Sequence, residues 1–157
     1  MIKATELRIG NLVTWNPGLI NPNSTLPPME IEISSIVDDK VGYVFPNIEN
    51  RVEPFEDDVA QTGIRVKSLQ EIEGIELTTE MLQNVGFKEK DSVLNAGFFE
   101  KGPVQLKAKG KHFEWLGTAD SNNPGNPSIV MFFHQLQNLY FTLTGEELEI
   151  KTHGQQA

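Results

Sequence analysis

Phe133-His134-Gln135-Leu136-Gln137-Asn138-Leu139-Tyr140-Phe141-Thr142-Leu143-Thr144-Gly145-Glu146-Glu147-Leu148 is the stretch that decides the fold class. At about 100° per residue, Phe133, Leu136, Leu139, Tyr140 and Leu143 share one arc of roughly 120°, the apolar stripe of an amphipathic helix. His134, Gln135, Asn138 and Thr142 fall on the opposite side, and Gly145 is placed to stop the helix in a left-handed conformation. Glu147-Leu148-Glu149-Ile150 then alternates as a short edge strand. Two residues escape this division. Gln137 sits at the border of the arc, so its amide is expected to be buried and to need partners. Phe141 lies outside the arc beside His134, either packed on the first domain or exposed for a partner. A helix of this quality behind a chain of strand patterns makes the protein α+β.

Upstream of the helix the signals are those of an antiparallel meander. Residues 97–100, 104–108, 112–116 and 128–132 read as strands, punctuated by Lys101-Gly102 and Lys109-Gly110 as turns. Residues 120–127 form a polar Asn/Pro-rich loop. Before the meander, Thr78 is a good N-cap, Leu77 is placed to pack on Leu82, and Gly86 can take the position past the helix end. These features predict a two- to three-turn helix over residues 79–85, stable only when packed on something. The second subdomain, residues 77–150, therefore reads as α-β-meander-α, with residues 151–157 as a fraying, disordered tail.

Residues 68–76 read as a linker holding no more than a turn of helix. Residues 1–67 carry β signals only. Leu7, Ile9, Leu12, Val13 and Trp15 surround a Gly10-Asn11 step; Met29, Ile31 and Ile33 alternate with Glu30, Glu32 and Ser34; Asp38-Asp39-Lys40 is a turn. Residues 41–45, 51–53 and 64–66 supply further short strands. Four or five short strands without a helix suggest an SH3-like β barrel or curled meander, and Leu7-Arg8-Ile9-Gly10-Asn11-Leu12-Val13 resembles the first strand of such barrels.

Composition removes several classes of function. The chain has 157 residues, no cysteine and a formal net charge of −9. Thiolate metal sites and cysteine nucleophiles are excluded. No apolar run approaches the roughly 20 residues of a membrane span, and the first residues lack the layout of a secretion signal, so the expected location is the cytoplasm of the cell that expresses the chain. Acidity argues against nucleic acid, which is bound largely through Lys and Arg. Lys101, Lys107, Lys109 and Lys111 are the best basic cluster, and solvated lysines guarding sheet edges are the simpler reading of them.

The candidate site residues are correspondingly few. His112, His134 and His153 lack metal-ligand spacing; His134, with Asn138 one turn on, is read as a helix-start residue bonding free backbone amides. Glu53, Glu56, Asp57 and Asp58 lack the spacing and glycine of a calcium loop and read as a solvated turn. No phosphate-binding glycine loop or nucleophile elbow is present, and no catalytic residue, metal or cofactor is expected. The residues retained as binding candidates are His134, Gln137, Asn138, Phe141, Trp115, Lys107 and Lys109.

The run from His134 to Phe141, followed by Leu143-Thr144-Gly145-Glu146-Glu147-Leu148, is similar to the C-terminus of small uncharacterised proteins encoded in bacteriophages and prophage-like elements. Glu6-Leu7-Arg8-Ile9-Gly10-Asn11-Leu12-Val13 resembles that family's N-terminus, and Ile75-Glu76-Leu77-Thr78-Thr79-Glu80-Met81-Leu82 with Val85-Gly86-Phe87 its central helix. The chain departs from the family in its longer loops at residues 16–28 and 119–127, and in Gly74 and Glu76 where prolines are expected. The resemblance implies a phage or mobile-element origin and supplies no catalytic residues. The expected function is a non-enzymatic accessory protein that binds a host or phage protein or assembles with itself. Two alternatives stand beside it: capture of a small nucleotide signal in host defence, and nucleic-acid binding through the barrel.

Overall fold

A computed structural model describes residues 2–46, 66–90, 96–117, 128–148 and 150. The chain divides into two compact units, Met1–Ile75 and Glu76–Ala157. Each is built on an open five-stranded antiparallel sheet, and with two α-helices among the described residues the fold is α+β. The strands expected at 51–53 and 64–65, the acidic turn at 53–58, the loop at 120–127 and the tail at 151–157 lie outside the described residues.

The first sheet runs in the order β4-β3-β2-β1-β5. Its strands are β1 (Leu12–Trp15), β2 (Met29–Val37), β3 (Lys40–Val44), β4 (Val66–Ser68) and β5 (Ile72–Glu73). The alternation that begins at Met29 continues through a bulge, since Ile33 faces Tyr43 while Ser35 faces Gly42. One extra residue in β2 resets the period of two, so Ile36 returns to the side of Ile31 and Ile33 and packs on their cluster with Val13, Trp15, Val41 and Tyr43. Asp38, in the left-handed region at φ 54°, closes the β2–β3 hairpin with Asp39.

The first strand starts later than its sequence suggests. Arg8 N–H donates to Asn11 Oδ1 (2.7 Å) and Asn11 N–H to the Arg8 carbonyl (3.0 Å), folding residues 8–11 into a turn with Gly10 at φ 89°. The asparagine side chain gives the Arg8 amide a local partner. Ile9 is left 60% exposed, Gly10 N–H bonds the Ile33 carbonyl (2.8 Å) and Ile33 N–H the Asn11 carbonyl (2.9 Å) in a bulge, and regular pairing begins at Leu12.

The stretch read as a linker contributes to this sheet. Ser68 Oγ accepts from Gln70 N–H (3.3 Å) and Glu71 Oε2 from Ser68 N–H (3.2 Å), a capping box over the 3-10 turn Leu69–Glu71. Glu71 Oε1 also accepts from Trp15 Nε1 (3.3 Å), and β5 then pairs with β1. That short connection fixes the shape of the sheet. Four strand spacings in a flat sheet would separate β4 from β5 by about 19 Å. The four residue steps from Ser68 to Ile72 reach about 14 Å even when fully extended. The sheet must curl to bring its two edges within reach, although no ladder joins β4 to β5 among the described residues.

The second unit opens with Glu76 bridged to Phe132, and Leu77 N–H donating to the Met131 carbonyl (2.9 Å). Thr78 Oγ1 caps α1 (Thr79–Asn84) by accepting from Met81 N–H at 3.2 Å. Gly86, at φ 90°, ends it: Gly86 N–H bonds the Gln83 carbonyl (3.0 Å) and Phe87 N–H the Leu82 carbonyl (2.9 Å). The chain continues into a strand that the sequence did not suggest, β6 (Lys88–Glu89), then β7 (Phe98–Lys101), β8 (Val104–Lys109), β9 (His112–Trp115) and β10 (Ser128–Val130). The order is β10-β9-β8-β7-β6, so α1 carries the chain from the β10 side to the opposite edge and must cross one face. The hairpin loops Gly102-Pro103 and Gly110-Lys111 each place a glycine of positive φ first.

Helix α2 (Phe133–Thr144) starts and stops where expected, with Gly145 at φ 73° bonded to the Phe141 carbonyl (2.7 Å). Its buried side is turned from the apolar arc. Phe133, His134, Leu136, Gln137 and Tyr140 are buried, whereas Leu139 and Leu143 are only half-buried. On the wheel the centre of burial moves by about 80° toward His134. Residues 147–150 do not continue as a strand among the described residues: Leu148 alone of that run is buried and Ile150 is 40% exposed, so one anchor replaces the expected alternation.

Candidate functional site

The second sheet has two faces of different character. Phe99, Leu106, Phe113 and Val130 are buried on one of them, with Phe99 and Phe113 meeting edge-on at 6.0 Å. Lys101, on the same face by strand alternation, ties both helices to it. Its Nζ donates to the Val85 carbonyl at 2.6 Å, at the C-terminal end of α1, and stands 5.1 Å from the Tyr140 ring of α2. A cation at that helix end meets the negative pole of the dipole and an orphan carbonyl together.

Among the described residues, the opposite face, turned away from Lys101, carries side chains that neither helix covers. Register places Ile129, Glu114, Lys107 and Phe98 opposite one another in a single row across β10, β9, β8 and β7. Ile129 is 56% exposed; the other three are half-buried. The Lys107 ammonium stands 5.0 Å from the Phe98 ring, with Glu114 directly across on β9. The row is therefore apolar at both ends and oppositely charged at its centre. Around it, Glu100 pairs with Lys90 at 3.0 Å, Lys109 faces His112, and Leu116 is 41% exposed. Four lysines (Lys88, Lys90, Lys107, Lys109) stand against two glutamates (Glu100, Glu114) here, while the whole chain carries a charge of −9.

The seven candidates from the sequence do not form one site. His134 is completely buried and stacked on Phe132, with centroids 5.8 Å apart and an interplanar angle of 11°. The backbone amides assigned to it are served by its neighbour: Gln135 Oε1 accepts from Met131 N–H (2.8 Å) and Phe132 N–H (3.1 Å). The reason is geometric, because a residue in the third helical position can reach back over the start whereas His134 is turned into the interior. Gln137 is 3% exposed, the burial that its place on the wheel suggested. Asn138 is half-buried and its carbonyl accepts from Thr142 Oγ1 at 2.7 Å; Phe141 is 37% exposed on the last turn.

Trp115 lies on the helix-covered side, its Nε1 buried and without an acceptor among the described residues. Lys107 and Lys109 lie on the opposite side, the first half-buried and the second exposed. The lysines considered as one basic cluster are thus divided between the two faces, with Lys101 committed to the helices. Ile129, Glu114 and Phe98 were missed by sequence reasoning. A signal existed: residues 129–132 are apolar at consecutive positions, the mark of a strand whose two sides both meet something.

The first unit offers a shallow groove of about 320 Å³ beside the Asp38-Asp39 turn, bounded by Ser35, Lys40 and Val66. No group of three or more His, Asp or Glu residues with metal-binding geometry occurs among the described residues. No helix among them is long and apolar enough to cross a membrane. No family model, characterised protein or solved structure matches the chain.

Proposed function

We propose that this chain is a non-enzymatic accessory protein of a phage or mobile element, acting in the host cytoplasm by holding a protein partner on the uncovered face of its second sheet. One observation carries the reading: the row Ile129, Glu114, Lys107 and Phe98 combines exposed apolar ends with a charged centre on the face that neither helix occupies. Apolar anchors with a few oriented polar groups are the composition of a protein-binding patch. Self-assembly and a host protein are both partners of this kind. The first unit is read as an SH3-like barrel that shares the chain with this surface. Its strand order and the three-residue link between its two edge strands support that reading.

Affinity capture from host lysate tests the function. Tagged wild-type chain is expected to retain a defined protein, or to sediment as more than a monomer, and Lys107→Glu is expected to weaken either association. A strictly monomeric chain that retains nothing contradicts the proposal.

A further inference from the structure

We propose that the uncovered face of the second sheet docks on the same face of a second copy of this chain. The inference rests on the reading of that face as a protein-binding surface and names the partner. Its basis is the symmetry of one row. A two-fold axis parallel to the strands and midway between β8 and β9 turns the row end for end onto a facing copy. Ile129 then meets the partner's Phe98, and Glu114 meets the partner's Lys107; by symmetry each contact occurs twice. Apolar ends meet apolar ends and opposite charges meet at the centre. The rotation leaves the strands of the two copies aligned, the geometry in which twisted sheets pack face to face at about 10 Å.

Charge elsewhere in the chain does not defeat this arrangement. The face itself carries four lysines to two glutamates, so the excess negative charge of the two chains is not brought together there, and the facing Glu114 and Lys107 set the local sign of the contact. Repulsion between charges farther apart than about 8 Å is screened at physiological salt. The face is small. Four strands averaging about four residues span roughly 19 by 14 Å, a patch of roughly 270 Å². Standard interfaces bury about 800 Å² per partner, so the dimer is expected to be weak and reversible, forming at high micromolar concentration.

Sedimentation equilibrium at concentrations up to about 500 µM, where a weak interface of this size populates its dimer, tests the proposal with five samples. Wild type is expected to show a monomer–dimer equilibrium. Lys107→Glu sets glutamate against glutamate twice, and Glu114→Lys sets lysine against lysine twice; each is expected to weaken association at least about tenfold. Mixing the two variants in equal amounts is expected to restore a dimer, now heterodimeric, because every facing pair is again opposite in sign. The double variant K107E/E114K keeps both the internal cross-strand pair and the symmetry, and is expected to dimerise like wild type. Circular dichroism confirms that each variant is folded, and the wild-type result stands without them. A monomeric wild type overturns the proposal, as does a mixture no more associated than its components. If wild type is monomeric yet captures a host protein in a Lys107-dependent way, the second copy is wrong and the docking face stands. If neither association occurs, both fall.

Discussion

Phe133→Ala is expected to destabilise the second unit by about 3–5 kcal/mol, the range for emptying a buried aromatic site. Phe133 is the largest completely buried side chain of the described residues and stands at the first position of α2. The ring anchors the helix on the sheet where β10 delivers the chain. A unit of about eighty residues has roughly 4–12 kcal/mol of total stability, so the variant is left near its unfolding threshold. Amide exchange resolves the effect by region. The amides of β7, β8 and β9 are expected to exchange some hundredfold to a few thousandfold faster, the factor that 3–5 kcal/mol supplies. Those of β1, β2 and β3 lie in the other unit and are expected to keep their rates. Loss below about 1 kcal/mol would mean that α2 is not docked through this ring.

Lys101→Met is expected to cost about 2 kcal/mol, although no apolar contact area of note is removed. A hydrogen bond from a charged donor is worth about 1.5–3 kcal/mol, and an ammonium over an aromatic ring about 0.5–2. Methionine keeps the length of the stem and so recovers part of the packing. What it cannot replace is the donor at 2.6 Å from the Val85 carbonyl, nor the charge beside the Tyr140 ring. The chemical shifts of Gly86 and of the Tyr140 ring are expected to move together in the variant, because one side chain serves both helices. A variant with wild-type melting and unmoved Tyr140 signals would show that Lys101 is solvated instead.

Much of the architecture was legible because local signals agreed with one another. Thr78 and Gly86 bound α1 as their chemistry requires, and Gly145 stops α2. Positive-φ glycines at 102 and 110 mark the two hairpins of the meander. Failures came where a side chain had two competing uses. Asn11 looked like part of a regular strand; its side chain closes a turn on Arg8 while its carbonyl still accepts from Ile33 N–H. Residues 72 and 73 looked like linker because two residues are too few for a pattern, yet they pair with β1. The break of period between Ile33 and Ile36 did carry information, since a bulge is the way a sheet absorbs one extra residue.

The site was harder to read than the fold. A helical wheel ranks residues by polarity, so it set His134 opposite the core, whereas tertiary packing buries it against Phe132. Lys107 was identified by its charge alone, and the neighbours that give it meaning come from three other strands. Ile129, Glu114 and Phe98 are separated from it by 7 to 22 positions in sequence and by one or two strand spacings in register. Only pairing brings such residues into one row, and pairing is what a single sequence specifies least directly.

The most direct test of the central claim is photo-crosslinking in host cells with benzoylphenylalanine in place of Ile129, and in place of Ile20 as a control exposed in the first unit. If the uncovered face of the second sheet is where this protein meets its partner, position 129 yields a discrete covalent adduct that Lys107→Glu abolishes, and position 20 does not. An adduct of twice the chain mass identifies that partner as a second copy. No adduct from position 129, or the same products from both positions, would contradict the account.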